Sequence, residues 1–385
     1  MKCDSSTHKV WDIFCRLVDN FGDIGVCWRL ARQLASEHGI HVRLWVDRAQ
    51  TIAAIAPDST IGLNPFENGV VELIAWRPES AMPIPGELVV EAFGCELPER
   101  MITAMLQCRN PPLWINLEYL SAEAWIEGCH LLPSPHPASG LAKHFFFPGF
   151  GADTGGLLCE GGLIEARNAF RADASAQHGL WKTLGAEPAA RHETTISLFC
   201  YENQALGGLL DSLVAKSQPT RVLVPEGRIL PALSAWHGAA LRRGDRVQRG
   251  SLRIQVLPFV SQRLYDSLLW ACDLNFVRGE DSLVRALWAG RPFVWQAYVQ
   301  QDDAHLLKLE ALLDRCLADM PAEAATAFGG IARAWNREQP LAAWLEELLA
   351  QREAIAASLE SWQQRIRLSG DLATNLVSFS KSKLK

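Results

Sequence analysis

A chain of 385 residues, 49 % of them apolar, is long enough for two domains of ordinary size, each with its own core and one cleft between them. Its formal charge of −6 argues against a nucleic-acid binder that works by neutralising phosphates, although a local basic patch stays compatible with it. No apolar run approaches the length that spans a bilayer, and the first ten residues, MKCDSSTHKV, lack the apolar core of a signal peptide. The ten cysteines include no C-x-x-C pair and no spacing typical of a zinc site or a disulfide framework, which points to a reducing, cytoplasmic setting.

Residues 10–18, VWDIFCRLV, are nearly all apolar, as expected of a strand buried on both faces. Asp19, Asn20, Phe21, Gly22, Asp23, Ile24 and Gly25 form the turn that follows, and a helix is expected over 26–37, closed by Gly39. A second strand follows at 41–46. Strand, turn, helix and strand in that order imply a parallel pair with a right-handed crossover, and ligands gather beyond the carboxyl ends of such strands. Asp19 and Asp23 stand at that edge. Each also has a plain structural use: Asp23 as a cap of the helix, Asp19 as a partner of the turn backbone.

Short strands are expected at 70–75, 88–92 and 113–117, with a helical piece at 98–108. Residues 131–156 are dense in Pro and Gly and read as loop with one short strand at 144–147. Gly149, Phe150 and Gly151 have the wrong spacing for a dinucleotide fingerprint, and no helix follows them. His136, between two prolines, reads as a surface loop residue rather than a base. Residues 165–192 are helical and polar. A fresh strand opens at Thr194, and the domain boundary is placed just before it, giving domains 1–190 and 191–359 with a closing helix at 360–380 that returns to the first.

The second half repeats the alternation, with strands expected at 195–200, 221–225, 252–258, 273–277 and 292–295. Residues 242–249, rich in arginine, read as a solvated loop, helices dominate from Ala322, and 381–385 reads as a frayed tail. Two loops at the carboxyl edge pair an aromatic ring with amide or carboxylate groups: Phe199, Tyr201 and Glu202 in one, Phe259 and Gln262 in the other. Such a set can stack a base and bond its edges, or pack beneath a helix. Between them lies NFVRGEDSLVRALWAGRPFVWQAYVQQ at 275–301, a strand, a polar turn, a short amphipathic helix ended by Gly290 and Pro292, and another strand. Asp281 or Ser282 caps that helix, and its N-terminus with Arg278 beside it suits a phosphate or diphosphate.

Four long segments carry a more specific likeness: VDNFGDIGVCWRLARQLA at 18–35, NLEYLSAEAW at 116–125, FFFPGF at 145–150 and FVRGEDSLVRALWAGRPFVWQAY at 276–298. In this order they resemble the bacterial protein-arginine rhamnosyltransferases that modify translation elongation factor P, over nearly the whole chain. The resemblance implies an α/β fold of GT-B architecture, two Rossmann-like domains facing a central cleft. It also implies an inverting transfer of L-rhamnose from dTDP-β-L-rhamnose to an arginine of elongation factor P, with no metal ion, no nucleic acid and no membrane involved. On that basis Asp23 is expected as general base and Asp19 as its partner in positioning the acceptor, an assignment that can be reversed. Asn20, Phe21, Gly22 and Gly25 form the acceptor-side loop. Arg278 and the backbone N–H groups of Asp281 and Ser282 would hold the diphosphate and Glu280 the sugar or ribose hydroxyls. Phe199, Phe259 and Gln262 would form the thymine pocket, with Tyr201 and Tyr265 beside it. Two rival readings are a GT-B enzyme with a small-molecule or glycan acceptor and a non-catalytic regulator that binds nucleotide sugars.

Overall fold

The computed structural model of the chain describes residues 9–17, 22–48, 50–77, 79–190 and 192–384. Two compact units are present, one of residues 1–161 with 366–385 and one of residues 162–365.

The first unit contains β1 (Val10–Cys15), α1 (Gly22–His38), β2 (His41–Val46), α2 (Gln50–Ile55), β3 (Gly62–Pro65), β4 (Val70–Ala75), β5 (Leu88–Ala92), α3 (Glu99–Gln107), β6 (Leu113–Leu117), α4 (Trp125–Cys129), β7 (Pro133–Pro135) and β8 (Ala142–Phe146). Its sheet runs β3-β4-β2-β1-β5-β6-β8-β7. All six inner strands are parallel, and β3 and β7 pair antiparallel at the two edges. Successive strands leave β1 in opposite directions, β2 on one side and β5 on the other, so the switch point of the sheet lies between β1 and β5. The apolar run of β1 is interrupted by Asp12, which is fully buried. Its carboxylate accepts from Arg43 Nη2 at 2.6 Å, Trp45 Nε1 at 2.8 Å and the Gly86 N–H at 2.8 Å, so the buried group is paired and held by three donors.

The second unit contains α5 (Leu163–Ala172), α6 (Ala174–Thr183), β9 (Thr194–Leu198), α7 (Leu206–Ala215), β10 (Thr220–Pro225), α8 (Leu230–His237), β11 (Arg246–Arg249), β12 (Leu252–Leu257), α9 (Gln262–Ala271), β13 (Leu274–Arg278), α10 (Gly279–Ala289), β14 (Phe293–Gln296), α11 (Ala304–Leu317), α12 (Ala322–Asn336), α13 (Ala342–Ala350) and most of α14 (Arg352–Arg367). The sheet order is β11-β12-β10-β9-β13-β14, parallel except for β11. Its switch point falls between β9 and β13. Ser197 Oγ donates to Asn275 Oδ1 at 2.7 Å across that pair, and Asn275 Nδ2 donates to the Leu269 carbonyl at 3.1 Å, which satisfies the polar groups inside an otherwise apolar sheet.

Several expectations need correction. The first strand ends at Cys15, not at residue 18, and α1 begins at Gly22 rather than Val26, so Asp23 lies in the first helical turn. Arginine-rich 246–249 is a strand, because Val247 is buried and pairs with Ile254 while its neighbours stay exposed. Pro133–Pro135 adds an edge strand to the expected loop, and α15 (Leu372–Lys383) carries regular structure well into the expected tail.

Residues 162–190 belong with the second unit. Phe170 packs edge-on to Trp270 with ring centroids 5.7 Å apart, and Arg167 Nη1 donates to the Trp288 carbonyl at 2.8 Å and to Gln363 Oε1 at 3.0 Å. Helix α15 closes the first unit instead: Gln33 Nε2, on α1, donates to Asp371 Oδ1 at 3.0 Å, and the Leu372 N–H donates to the Leu157 carbonyl at 3.0 Å.

Arg285 of α10 makes a two-pronged contact with Asp266 of α9, Nε to Oδ1 at 2.9 Å and Nη2 to Oδ2 at 2.7 Å, with both side chains buried. This pair fastens the helix that begins just after Arg278. Replacing Arg285 with alanine removes the guanidinium that faces a buried carboxylate and is expected to cost about 3–5 kcal/mol. Urea unfolding of the Arg285→Ala protein, followed by tryptophan fluorescence, checks this, and an unshifted midpoint would contradict it.

Candidate active site

The second unit gathers most of the expected residues at its switch point. Strand β13 ends at Arg278, and Gly279 turns the chain straight into α10 at φ +65°, a conformation that an L side chain enters only at a cost. Arg278 is itself the N-cap residue, without a capping side chain, so neither Asp281 nor Ser282 caps the helix as expected; with Glu280 they lie inside its first turn. The first N–H groups of any α-helix have no acceptor within it, and the positive end of the helix dipole coincides with them.

The Arg278 guanidinium lies over two rings at once, 4.9 Å from the centroid of Phe199 and 4.6 Å from that of Tyr201. Both rings come from the segment that leaves β9, the strand next to β13. A planar, weakly hydrated cation gains from such faces where an ammonium would not fit as well. Phe199 is also met edge-on by Tyr265, with centroids 5.3 Å apart, and its ring lies 3.3 Å from where a Cβ on Gly227 would stand. Tyr265 belongs to α9, which opens with Gln262 behind the N-cap Ser261, whose Oγ accepts from the Leu264 N–H at 3.4 Å. Gln262 is buried and Phe259 half-buried on the segment before it. Phe199, Tyr201, Gln262, Tyr265 and Arg278 are thus in or beside one cluster, with Glu280, Asp281 and Ser282 directly behind Arg278.

Four supporting residues escaped the sequence reading. Tyr298 meets Tyr201 edge-on at 5.5 Å, and the Arg228 guanidinium lies 5.8 Å from the other participant, the Tyr201 ring. Gln296 accepts from the Tyr201 N–H at 2.9 Å, and Trp295 Nε1 donates to the Gly279 carbonyl at 3.0 Å. Trp295, Gln296 and Tyr298 sit in the long segment 276–298 already singled out, but nothing local in FVWQAY told their orienting role. Arg228 gave no signal beyond a turn after a strand.

In the first unit, Asp23 occupies the first turn of α1, only 4 % exposed. Gly22 and Gly25 lie on the same helix, Gly25 buried, rather than in a loop. Asp19, Asn20 and Phe21 lie outside the described residues. The chain entering that segment is held by the Leu17 N–H, which donates to Asp47 Oδ1 at 3.0 Å. Of the remaining candidates, His136 closes a local turn with Ser139, Nδ1 to Oγ at 3.0 Å, and Phe150 is buried. Among the described residues no group of three His, Cys, Asp or Glu side chains converges on a position for a metal ion, and no helix is long and apolar enough to cross a membrane.

Two α/β units, each with a parallel sheet and a ligand-ready switch point, form the GT-B fold of nucleotide-sugar glycosyltransferases. At the level of fold alone, a UDP-glucosyltransferase from Polygonum tinctorium superposes with a TM-score of 0.51 at 9 % identity, covering 98 % of this chain and 99 % of its own. The family described as elongation factor P (EF-P) rhamnosyltransferase EarP matches residues 11–381. A protein-arginine rhamnosyltransferase of Pseudomonas aeruginosa is 49 % identical over 372 residues, 96 % of this chain and 98 % of that one. Its counterpart in Shewanella oneidensis is 39 % identical over 397 residues, 98 % and 99 % of the two chains. A solved structure bearing on EarP-mediated arginine glycosylation of translation elongation factor EF-P superposes with a TM-score of 0.68 at 35 % identity, covering 97 % and 99 %. The chain belongs to the EarP family of rhamnosyltransferases.

Burial raises the pKa of the Tyr265 phenol, against the lesser pull of the Ser282 hydroxyl. The folded value therefore stands above the unfolded one, near 10. At least one of the four tyrosines should stay un-ionised in the native protein where free phenols titrate, and stability should fall as pH climbs past about 10, because the unfolded chain releases its proton first. Phenolate absorbance in native and urea-unfolded protein tests this. Full ionisation of all tyrosines without unfolding would show that water reaches Tyr265.

Proposed function

We propose that this protein transfers L-rhamnose from dTDP-β-L-rhamnose to an arginine side chain of translation elongation factor P, with inversion at the anomeric carbon and without a metal ion. The observation that carries the donor half is Arg278, a cation seated on two aromatic faces at the switch point, at the start of α10. Family membership supports the sugar and the acceptor.

The acceptor guanidinium is a poor nucleophile: its lone pairs are delocalised, and it stays protonated with a pKa above about 12. A carboxylate must orient it and take a proton. In this reading Asp23 takes that proton as the nitrogen lone pair bonds to C1 of the sugar, and Asp19 positions the acceptor. The C1–O bond to the diphosphate breaks on the opposite face, and its electron pair leaves with the phosphate oxygen. Arg278 and the amino end of α10 stabilise the charge that collects there. Glu280 bonds the hydroxyls of the sugar or ribose, and the backbone N–H groups of Asp281 and Ser282 donate to the diphosphate. Phe199, Phe259 and Gln262 hold thymine, while Phe199 and Tyr201 also carry Arg278, and Tyr265 backs Phe199. Transfer requires the acceptor bound by the first unit to meet the donor bound by the second. Every described cysteine is a free thiol, which supports a cytoplasmic setting beside the translation machinery.

Incubation with elongation factor P and dTDP-rhamnose should add one deoxyhexose to one arginine, read by mass spectrometry. The Asp23→Asn protein should lose about a hundredfold or more of that rate with donor affinity kept; a near-wild-type rate would remove the general-base role. Exhaustive chelation should leave the wild-type rate unchanged, and restoration of a lost rate by added magnesium or manganese would refute metal independence.

A further inference from the structure

The carboxyl edge of the first sheet, where β1 runs into the helix that carries Asp23, holds a second, unassigned constellation on the next two strands, β5 and β6. Strand β5, across the switch point from β1, releases the chain through Phe93 at φ +56°. A bulky residue in the left-handed region costs about 1–3 kcal/mol and persists only where its surroundings impose it. Here the Phe93 N–H donates to the Leu117 carbonyl at 2.7 Å, and its ring stacks on Tyr119, centroids 4.6 Å apart and planes 21° apart. The strained backbone thus aims one ring at another on the neighbouring strand's exit. That pair is not core packing, since Tyr119 remains 37 % exposed.

Between Leu117 and Tyr119 lies Glu118, half-buried at the end of β6. Its main chain is fastened by its N–H donating to the Phe146 carbonyl at 2.9 Å, and its carboxylate accepts from Asn116 Nδ2. Burial holds this carboxyl above the usual range, with the Asn116 amide and the Lys143 charge pulling the other way. Lys143 is itself committed, 3.3 Å from Glu91 Oε2 and 5.3 Å from the Trp114 ring. The Tyr119 N–H also donates to this carboxylate; an ionised carboxylate offers about four lone-pair sites, so two amide donors leave room for a forked one. Further along the same edge Trp125 is 55 % exposed, edge-on to Phe147 at 5.5 Å, and Glu96 is exposed at φ +54°.

Aromatic faces beside carboxylates are the chemistry that recognises a guanidinium: the planar cation stacks on rings and reaches a carboxylate with two parallel N–H groups. We propose that Glu118 and the Phe93–Tyr119 stack seat the acceptor's arginine, Glu118 as a positioning residue that orients the guanidinium toward Asp23, with Trp125 packing on the apolar part of the acceptor segment. This rests on the reading that the acceptor is a protein arginine.

The test is steady-state kinetics on the full-length protein with elongation factor P varied at saturating dTDP-rhamnose, with dTDP affinity measured by calorimetry. Glu118→Gln and Tyr119→Ala should each raise KM for the acceptor about tenfold or more, with kcat changed far less and dTDP affinity unchanged. Glu118→Asp should recover part of the loss, which a merely structural role would not predict. An unchanged KM in both variants, with wild-type protein active, overturns this inference and leaves the proposed function standing. If Glu118→Gln loses dTDP binding and is therefore misfolded, Tyr119→Ala, on an exposed ring, decides alone. Wild-type protein that leaves elongation factor P unmodified defeats the proposed function and this inference with it.

Discussion

A strand paired in parallel on both sides cannot hairpin into its neighbour, so the chain must leave the sheet at its carboxyl end and cross back through a helix. The position of the switch point in each sheet follows from that constraint. Both sheets place their first strand, β1 or β9, in the interior and send the following strands to opposite sides. Each therefore has one place where adjacent strands release their chains in diverging directions. The backbone groups left over there, and the helix N-termini that begin beside them, are the groups to which a ligand can bind.

The two edges are furnished differently. In the second unit the guanidinium of Arg278 rests on Phe199 and Tyr201, and Gly279 lets α10 start without an intervening loop. A cation so held, at the positive end of a helix, meets an anionic leaving group without having to reorganise. In the first unit the same edge carries Asp23, Glu118 and the stacked Phe93 and Tyr119. An acidic, aromatic edge on one unit and a cationic, aromatic edge on the other match the two substrates of the proposed reaction, a guanidinium and a diphosphate.

Much of this was legible in the sequence where burial was two-sided. Strands 88–92 and 113–117 coincide with the observed elements because every residue in them is buried, and 41–46 and 70–75 because their buried apolar residues are interleaved with half-buried His41, Arg43 and Glu72 at strand spacing. The edge strands β3, β7 and β11 are short, half-solvated and rich in Pro or Arg, so their composition resembles loop. Residues 162–190 show helical character, yet an amphipathic helix declares only that it packs, not on which core. Arg167 and Arg171 reach carbonyls of α10 more than a hundred residues away in sequence, and no local pattern reports that. Asp23 was identifiable as a chemically interesting acid beside two glycines; its place inside the helix was not, since Gly22 and Gly25 argue against helix by propensity alone.

By itself the sequence determined two parallel α/β units, the family of the chain, and the segments that furnish its edges, because alternating apolar runs and turn residues act over a few neighbouring positions. Tertiary structure alone decided which rings stand under Arg278, which unit owns 162–190, and that Phe93 is forced into the left-handed region to meet Tyr119. Those outcomes depend on pairings between strands far apart in the chain, where packing and hydrogen bonding of several kcal/mol override local preference.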